Sequence, residues 1–365
     1  MTKRVDFTTV GVAQETIDDV VEVLDSGRFV KGPVGERFED KFAEKTGVEH
    51  AVCVSSGTAA LLLALRGAGI GPGDQVLVPG HSFFATVSPV LTLGADPVFV
   101  DIDPETYTMD PTDLAEKAAD AANPEAVIPV HIYGLMADMA AIEAVAEEHD
   151  LFVLEDACQA HFAERNGVTA GDAGDAGAFS FYPSKNMTVA GDGGMVTTDD
   201  SDLARRMRQL RNHGRDDDGV HRALGLNYRL DETNAAVGVA QLGRVERWNR
   251  NRQTAAERYT DALANVSEVT TPTEPADASH VYHLYVIQSP DRDALRDHLE
   301  SNGIDTGLHY GTALHEHPAV TDQIPSVTLP ETEALVDRIL SLPMYPEIPE
   351  GDVEYVTNTI REFYR

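Results

Sequence analysis

One lysine, in the stretch "FYPSKNMTVAGDGGMV" (residues 181–196), invites chemistry before any other residue does. Lys185 stands four residues beyond the strand-like run 178–181, and Gly191, Gly193 and Gly194 follow, allowing a sharp turn before an apolar segment resumes. An amine held at the end of a buried strand is a nucleophile toward carbonyl groups. Two other stretches offer complementary chemistry. "SSGTAALLLAL" places Ser56, Gly57 and Thr58 at the start of a helical pattern, where free N–H groups and the helix dipole favour an anion such as phosphate. An ordinary N-cap over a core helix explains that stretch equally well. "LEDACQAH" ends an apolar run on Asp156, which needs a cationic or hydrogen-bonding partner if it is buried.

These residues follow segments that read as strands. "HAVCVSS", "QVLVPG", "DPVFVDID", "AVIPVHIYG", "LFVLEDA", "GAFSF" and "GMVTT" are short apolar runs. Helical patterns separate the earlier ones: "GTAALLLALRGAG", "SFFATVSPVLTLGA", "DPTDLAEKAADAA" and "ADMAAIEAVAEEHD". Strands apolar on both faces and alternating with helices predict an α/β fold, a mostly parallel sheet covered on both sides. In such sheets ligands bind at the carboxyl ends of the strands. That rule gathers Lys185, Asp156 and the Gly57–Thr58 turn at one edge, with Ser180 on the strand leading to the lysine.

Two amphipathic helices closed by Gly27 and Gly47 precede the sheet region. From Asp231 to about Val266 the pattern suits one long helix or a broken pair, and "HVYHLYVIQ" then reads as a period-two strand. "DRDALRDHLESNGI" and "DVEYVTNTIREFYR" are helical in pattern. A boundary near Trp248 divides the chain into a large domain, 1–247, and a smaller C-terminal α+β domain, 248–365.

The gathered set suits pyridoxal 5'-phosphate (PLP). Lys185 could form a Schiff base with its aldehyde, Asp156 could face a protonated pyridine nitrogen, and the Gly57–Thr58 turn with Ser180 could hold its phosphate. A structural ion pair is the plain alternative for Asp156, and a surface position for Lys185. No GxGxxG or P-loop pattern competes for the anion turn.

Taken together, "SSGTAALLLAL", "PGHSFFATVSPV", "GADPVFVDIDPETYTMD", "PVHIYGLMADM", "LEDACQAHFAERNG", "GDAGAFSFYPSKNMTVAGDGGMVTTDD", "LRNHGR" and "GLNYRLDETNAAVGVAQL" resemble the DegT/DnrJ/EryC1/StrS family of sugar aminotransferases, from about residue 10 to beyond 310. The resemblance implies PLP-dependent fold type I, with a seven-stranded sheet in the large domain. It implies that Lys185 carries the cofactor and moves protons, and that Asp156 holds the pyridine nitrogen protonated. Phe83 would stack on the ring and Gln159 would bond near its hydroxyl. Gly57, Thr58 and Ser180 would hold the phosphate, joined by Asn227 from the neighbouring subunit, so the resemblance implies a homodimer with shared active sites. His309 and Tyr310 match a segment reaching toward the sugar from the partner chain. Arg229 would meet a carboxylate of donor or sugar, with an interface ion pair as its alternative. The substrates implied are glutamate and a nucleotide-linked keto sugar, in amino-sugar or surface-glycan synthesis.

Composition limits the remaining classes. The 28 Lys and Arg against 61 Asp and Glu give a net charge of −33, with acids spread along the chain. Such a surface suits work at high salt and argues against nucleic acid or anionic membrane as a partner. Cys53 and Cys158 form no disulfide framework or CxxC pair, and no export signal or apolar span is present, so a cytoplasmic, soluble protein is expected. A metal cluster of His309, His315 and His317 lacks acidic or cysteine ligands at standard spacing. Lys185 argues against the family's dehydratase branch, which carries histidine there, and neither cysteine has the setting of a desulfurase nucleophile. A non-catalytic regulatory or sensor protein and a keto-inositol aminotransferase are the other readings. "YPSKN" with "GDGG" points to amination at carbon 3 of the sugar, whereas "GLNYRLDE" also suits carbon 4.

Overall fold

The structure, a computed structural model, describes residues 3–365. Seven strands form the main sheet: β1 (His50–Val54), β2 (Gln75–Pro79), β3 (Asp96–Val100), β4 (Pro124–Val127), β5 (Phe152–Asp156), β6 (Ala176–Ser180) and β7 (Gly194–Thr198). Their spatial order is β1-β7-β6-β5-β4-β2-β3. Only β7 runs against its neighbours; the pairs β6–β5, β5–β4, β4–β2 and β2–β3 are parallel. With β7 reversed between them, β1 and β6 point the same way. The carboxyl ends of β1, β2, β5 and β6 therefore share one edge, where Gly57, Phe83, Asp156 and Lys185 follow.

The sheet divides the core in two because strand side chains alternate faces. Ala51, Cys53 and Leu77 face a layer built on Phe38, Phe42, Phe179 and Phe181. Val52, Val54, Val76 and Val78 face the other, built on Leu61, Leu63 and Leu65. Helix Gly57–Ala68 belongs to that second layer and is capped by the Ser56 hydroxyl, which accepts from Ala59 N at 3.1 Å. A further core joins helices Val245–Leu263, Arg292–Ser301 and Glu350–Phe363 to an antiparallel pair, β8 (Tyr285–Gln288) and β9 (Ile339–Leu342). Val5 is buried in this C-terminal core and bridges to Ile304.

Several expected elements are shorter than the pattern implied. "SFFATVSPVLTLGA" is a 3₁₀ turn, Phe84–Thr86, then a short helix, Ser88–Leu93, restarted with Pro89 in its first turn. In "AVIPVHIYG" the strand ends at Val127, and beyond Pro129 the chain bridges once, Val130 to Asp156. "HVYHLYVIQ" is a strand only over Tyr285–Gln288, with Tyr282 in the left-handed region at φ 43°. The long helical stretch is a broken pair, Glu232–Leu242 and Val245–Leu263, interrupted at Gly243. In the turn after Lys185 the left-handed residue is Ala190, not a glycine; Gly194 is needed for space, since a Cβ there would lie 2.4 Å from Ser56 O.

Candidate active site

The strand ends surround a cavity of about 370 Å³. Gly57, Thr58, Phe83, Asp156, Gln159, Ser180, Lys185, His309 and Tyr310 all line it. Asn227 and Arg229 do not. Asn227 is exposed, and Arg229 Nη1 donates to Asn212 Oδ1 at 2.8 Å while its Nε has no partner among the described residues. His309 and Tyr310 correct one expectation: they lie on the wall of this chain's own cavity instead of entering from a partner.

Asp156 closes β5 and is 6 % exposed. Its Oδ2 accepts from Thr86 Oγ1 at 2.8 Å and its Oδ1 from Cys158 N at 3.2 Å. These neutral donors orient the carboxylate without neutralising it, and no Lys or Arg nitrogen lies within ion-pair distance among the described residues. A buried carboxylate in that state calls for a cation to complete it. Lys185 follows β6 in a turn in which its N–H donates to Tyr182 O at 2.8 Å. Burial lowers the pKa of its amine, opposed by the nearby Cys158 and Asp156, so the neutral, nucleophilic form is available at lower pH than for an ordinary lysine.

The anion turn is equally specific. The Ser56 hydroxyl and carbonyl engage the N–H groups of Ala59 and Ala60, leaving those of Gly57 and Thr58 without a partner among the described residues. A Cβ on Gly57 would meet Ser180 Cβ at 2.8 Å and Cys158 Sγ at 2.9 Å, so glycine is required for this helix start to sit against β6. Two free N–H groups, the helix dipole and the Ser180 hydroxyl make a phosphate cradle. Cys158 lines the cavity, but burial raises its thiol pKa well above the usual range, which suits packing and not a thiolate nucleophile.

Gln159 is held at both ends: its Oε1 accepts from Tyr133 N at 2.7 Å and its Nε2 donates to Tyr310 Oη at 3.1 Å. Phe83 is half exposed and its ring centre lies 5.6 Å from that of Tyr310. The Tyr133 hydroxyl donates to His309 O and is itself 2.5 Å from His81 Nε2. Thr86, Tyr133, His81 and the wall residue His283 had no sequence signal, since each gains its role only from contacts with distant segments. The quoted stretches "PGHSFFATVSPV" and "PVHIYGLMADM" contain the first three without marking them. His309, His315 and His317 have separate neighbours, Ser341, Glu333 and Phe84, and among the described residues no group of three or more metal-ligating side chains forms.

The fold and this cradle define a PLP-dependent enzyme of fold type I, and the residues present fit the cofactor. The model of the DegT/DnrJ/EryC1/StrS aminotransferase family matches residues 11–361, and the chain belongs to that family. It is 41 % identical to a dTDP-3-amino-3,4,6-trideoxy-alpha-D-glucose transaminase of Streptomyces venezuelae, over 99 % of this chain and 97 % of the relative. It is 42 % identical to a UDP-N-acetyl-3-dehydro-alpha-D-glucosamine 3-aminotransferase of Acidithiobacillus ferrooxidans, over 95 % of this chain and 93 % of the relative. The solved structure of S. venezuelae DesV, in complex with a ketimine intermediate, superposes with a TM-score of 0.96 at 40 % identity, covering 100 % of this chain and 99 % of that one. The protein is a PLP-dependent aminotransferase. Among the described residues no helix is long and apolar enough to cross a membrane.

Proposed function

We propose that this aminotransferase moves the amino group of glutamate to the 3-keto group of a sugar carried on dTDP or UDP. The observation that carries the reading is the convergence of Lys185, Asp156 and the Gly57 cradle on one cavity, in a chain whose similar relatives named above both act at carbon 3. Of the two sequence hints, that similarity supports the one for carbon 3. A place in amino-sugar synthesis for surface glycans follows from such a product.

Bound PLP supplies an electron sink for the carbon that loses its proton. Lys185 would hold the cofactor, and its amine would take the donor's Cα proton and return one on the acceptor side. Asp156 holds positive charge on the pyridine nitrogen. The N–H groups of Gly57 and Thr58, the Ser180 hydroxyl and Asn227 of the partner subunit hold the phosphate. Phe83 packs on the ring face, Gln159 bonds near the ring hydroxyl, His309 and Tyr310 face the sugar, and Arg229 meets a carboxylate of donor or sugar.

The homodimer in this reading is supported by exposed Ile17, Val21 and Leu24 on one face of helix Gln14–Ser26, and by exposed Val220, Leu224 and Leu226 beside Asn227. The division into domains 1–247 and 248–365 is supported by the separate C-terminal core, with Val5 added to it. Net charge −33 supports work at high salt, and the free thiols of Cys53 and Cys158 fit a reducing cytoplasm.

The test is an absorbance spectrum of the purified protein in high salt with PLP. A band at roughly 410–430 nm that falls on adding glutamate, recovers with a dTDP- or UDP-linked 3-keto sugar, and is absent in Lys185→Ala supports the reading. A band that ignores glutamate, or turnover confined to simple keto acids, would overturn it.

A further inference from the structure

Tyr133 holds both residues of the wall pair His309 and Tyr310, and does so from a strained turn. It is 3 % exposed and lies in the left-handed region at φ 58°, uncommon for a bulky residue. Its N–H donates to Gln159 Oε1 at 2.7 Å, and Gln159 Nε2 donates to Tyr310 Oη at 3.1 Å. Its hydroxyl donates to the carbonyl of His309, which belongs to the peptide joining His309 to Tyr310. One residue therefore links Gln159 to both wall residues.

Neighbouring segments hold that turn in place, as a strained conformation requires. Leu284 N donates to Tyr133 O at 3.3 Å, and Val281 N to Gly134 O at 3.0 Å. Just before the turn, the buried His131 donates from Nε2 to the buried Glu155 at 2.7 Å and accepts from Ala137 N at Nδ1. His81 completes the arrangement. It is 1 % exposed, and its Nε2 lies 2.5 Å from the Tyr133 hydroxyl. The one hydroxyl proton of Tyr133 goes to His309 O, so His81 must donate from Nε2, and Nδ1 is the bare nitrogen. That Nδ1 is buried with no partner among the described residues, and burial lowers the pKa of the ring to about 4, which keeps it neutral. An apolar residue would avoid the cost of an orphaned nitrogen; what a histidine adds here is the proton given by Nε2.

We propose that His81 and Tyr133 are positioning residues for the acceptor half of the reaction. The hydrogen-bond chain His81–Tyr133–His309 sets the wall that the sugar meets, and the smaller glutamate depends on it less. Neither His81 nor Tyr133 lines the cavity, so both act through His309 and Tyr310. The inference rests on the reading that those two residues face the sugar of a nucleotide-linked acceptor.

The PLP-loaded enzyme is mixed with glutamate, or with a dTDP- or UDP-linked 3-amino sugar so that the acceptor half runs in reverse. Loss of the cofactor absorbance gives a rate and an apparent Kd for each. Tyr133→Phe removes the hydroxyl and keeps the ring and the N–H. It should weaken amino-sugar binding roughly three- to tenfold, as for one lost hydrogen bond, with glutamate changed by less than about twofold. His81→Gln, whose amide offers a donor in place of Nε2, should stay near wild type, and His81→Leu should behave as Tyr133→Phe does. A second measurement needs no turnover: in the nitrogen NMR spectrum of isotope-labelled histidines, the signals lost in His81→Gln should be those of an Nε2–H tautomer. Equal losses with both partners, no loss with either, or a bare Nε2 at His81 would overturn the inference. If the wild type still converts the nucleotide-linked amino sugar, the acceptor reading survives that failure. A wild type that responds to glutamate and to no nucleotide-linked sugar removes the acceptor reading itself, and the inference falls with it.

Discussion

Thr86 Oγ1 donates a 2.8 Å hydrogen bond to Asp156 Oδ2, tying the turn after β2 to the end of β5 across 70 residues. Thr86 has one hydroxyl proton, so Ser82, 2.7 Å away, must donate to Thr86 in turn. The relay holds the Thr86 hydroxyl on the Asp156 carboxylate.

Thr86→Val keeps the shape and removes that donor. A hydrogen bond to a charged group contributes about 1.5–3 kcal/mol, so PLP affinity and kcat/KM should fall roughly tenfold or more, with little loss of folding. Thr86→Ser should recover most of both. PLP titration followed by absorbance decides it, and an unchanged Thr86→Val enzyme would show that the Cys158 N–H orients Asp156 alone.

Gly57→Ala puts a methyl group where Ser180 Cβ and Cys158 Sγ already stand. Pushing the helix start off β6 should cost about 1–3 kcal/mol in stability and also spoil the phosphate cradle. Thermal unfolding with and without PLP separates the two: the variant should melt lower and gain less from added cofactor.

Burial, which lowers the Lys185 pKa, predicts how the apo-enzyme takes up PLP. The neutral amine attacks the aldehyde, so uptake should rise with pH and level off below the ordinary lysine range near 10.4. A midpoint at that ordinary value, from uptake rates across pH, would contradict the burial argument.

Acid should unfold the protein through its buried histidines. Burial lowers His81 and His309 to about 4 and His161 and His280 to about 3. Each is neutral when folded but gains a proton when unfolded below about pH 6.5, so the unfolded state binds more protons as pH falls. Stability is then full above about 6.5 and is lost toward 4, by as much as about 1.4 kcal/mol per pH unit for each such histidine. Denaturant midpoints at pH 7, 6 and 5 should fall in that order; a flat series would refute it.

Shared active sites predict subunit complementation. Lys185→Ala and Asn227→Ala chains, each nearly inactive alone, should regain about a quarter of wild-type activity when co-refolded as equal mixtures. Half of the dimers are then mixed and each has one intact site. Activity that stays at the sum of the parents would place Asn227 in its own chain's site.

Much of this protein was determined by local sequence. Apolar strands alternating with helices follow from side-chain periodicity, and Gly57, Asp156, Ser180 and Lys185 were legible because each stands at a strand end with a residue type that suits its chemistry. Tertiary structure decided the rest. Strand order β1-β7-β6-β5-β4-β2-β3 brings Thr86 under Asp156 and Tyr133 beneath His309. It also put His309 and Tyr310 in this chain's own cavity and left Asn227 and Arg229 outside it. Periodicity specifies which face of an element is apolar, not which element lies next to it. Long-range contacts depend on that adjacency, and only the packed core sets it.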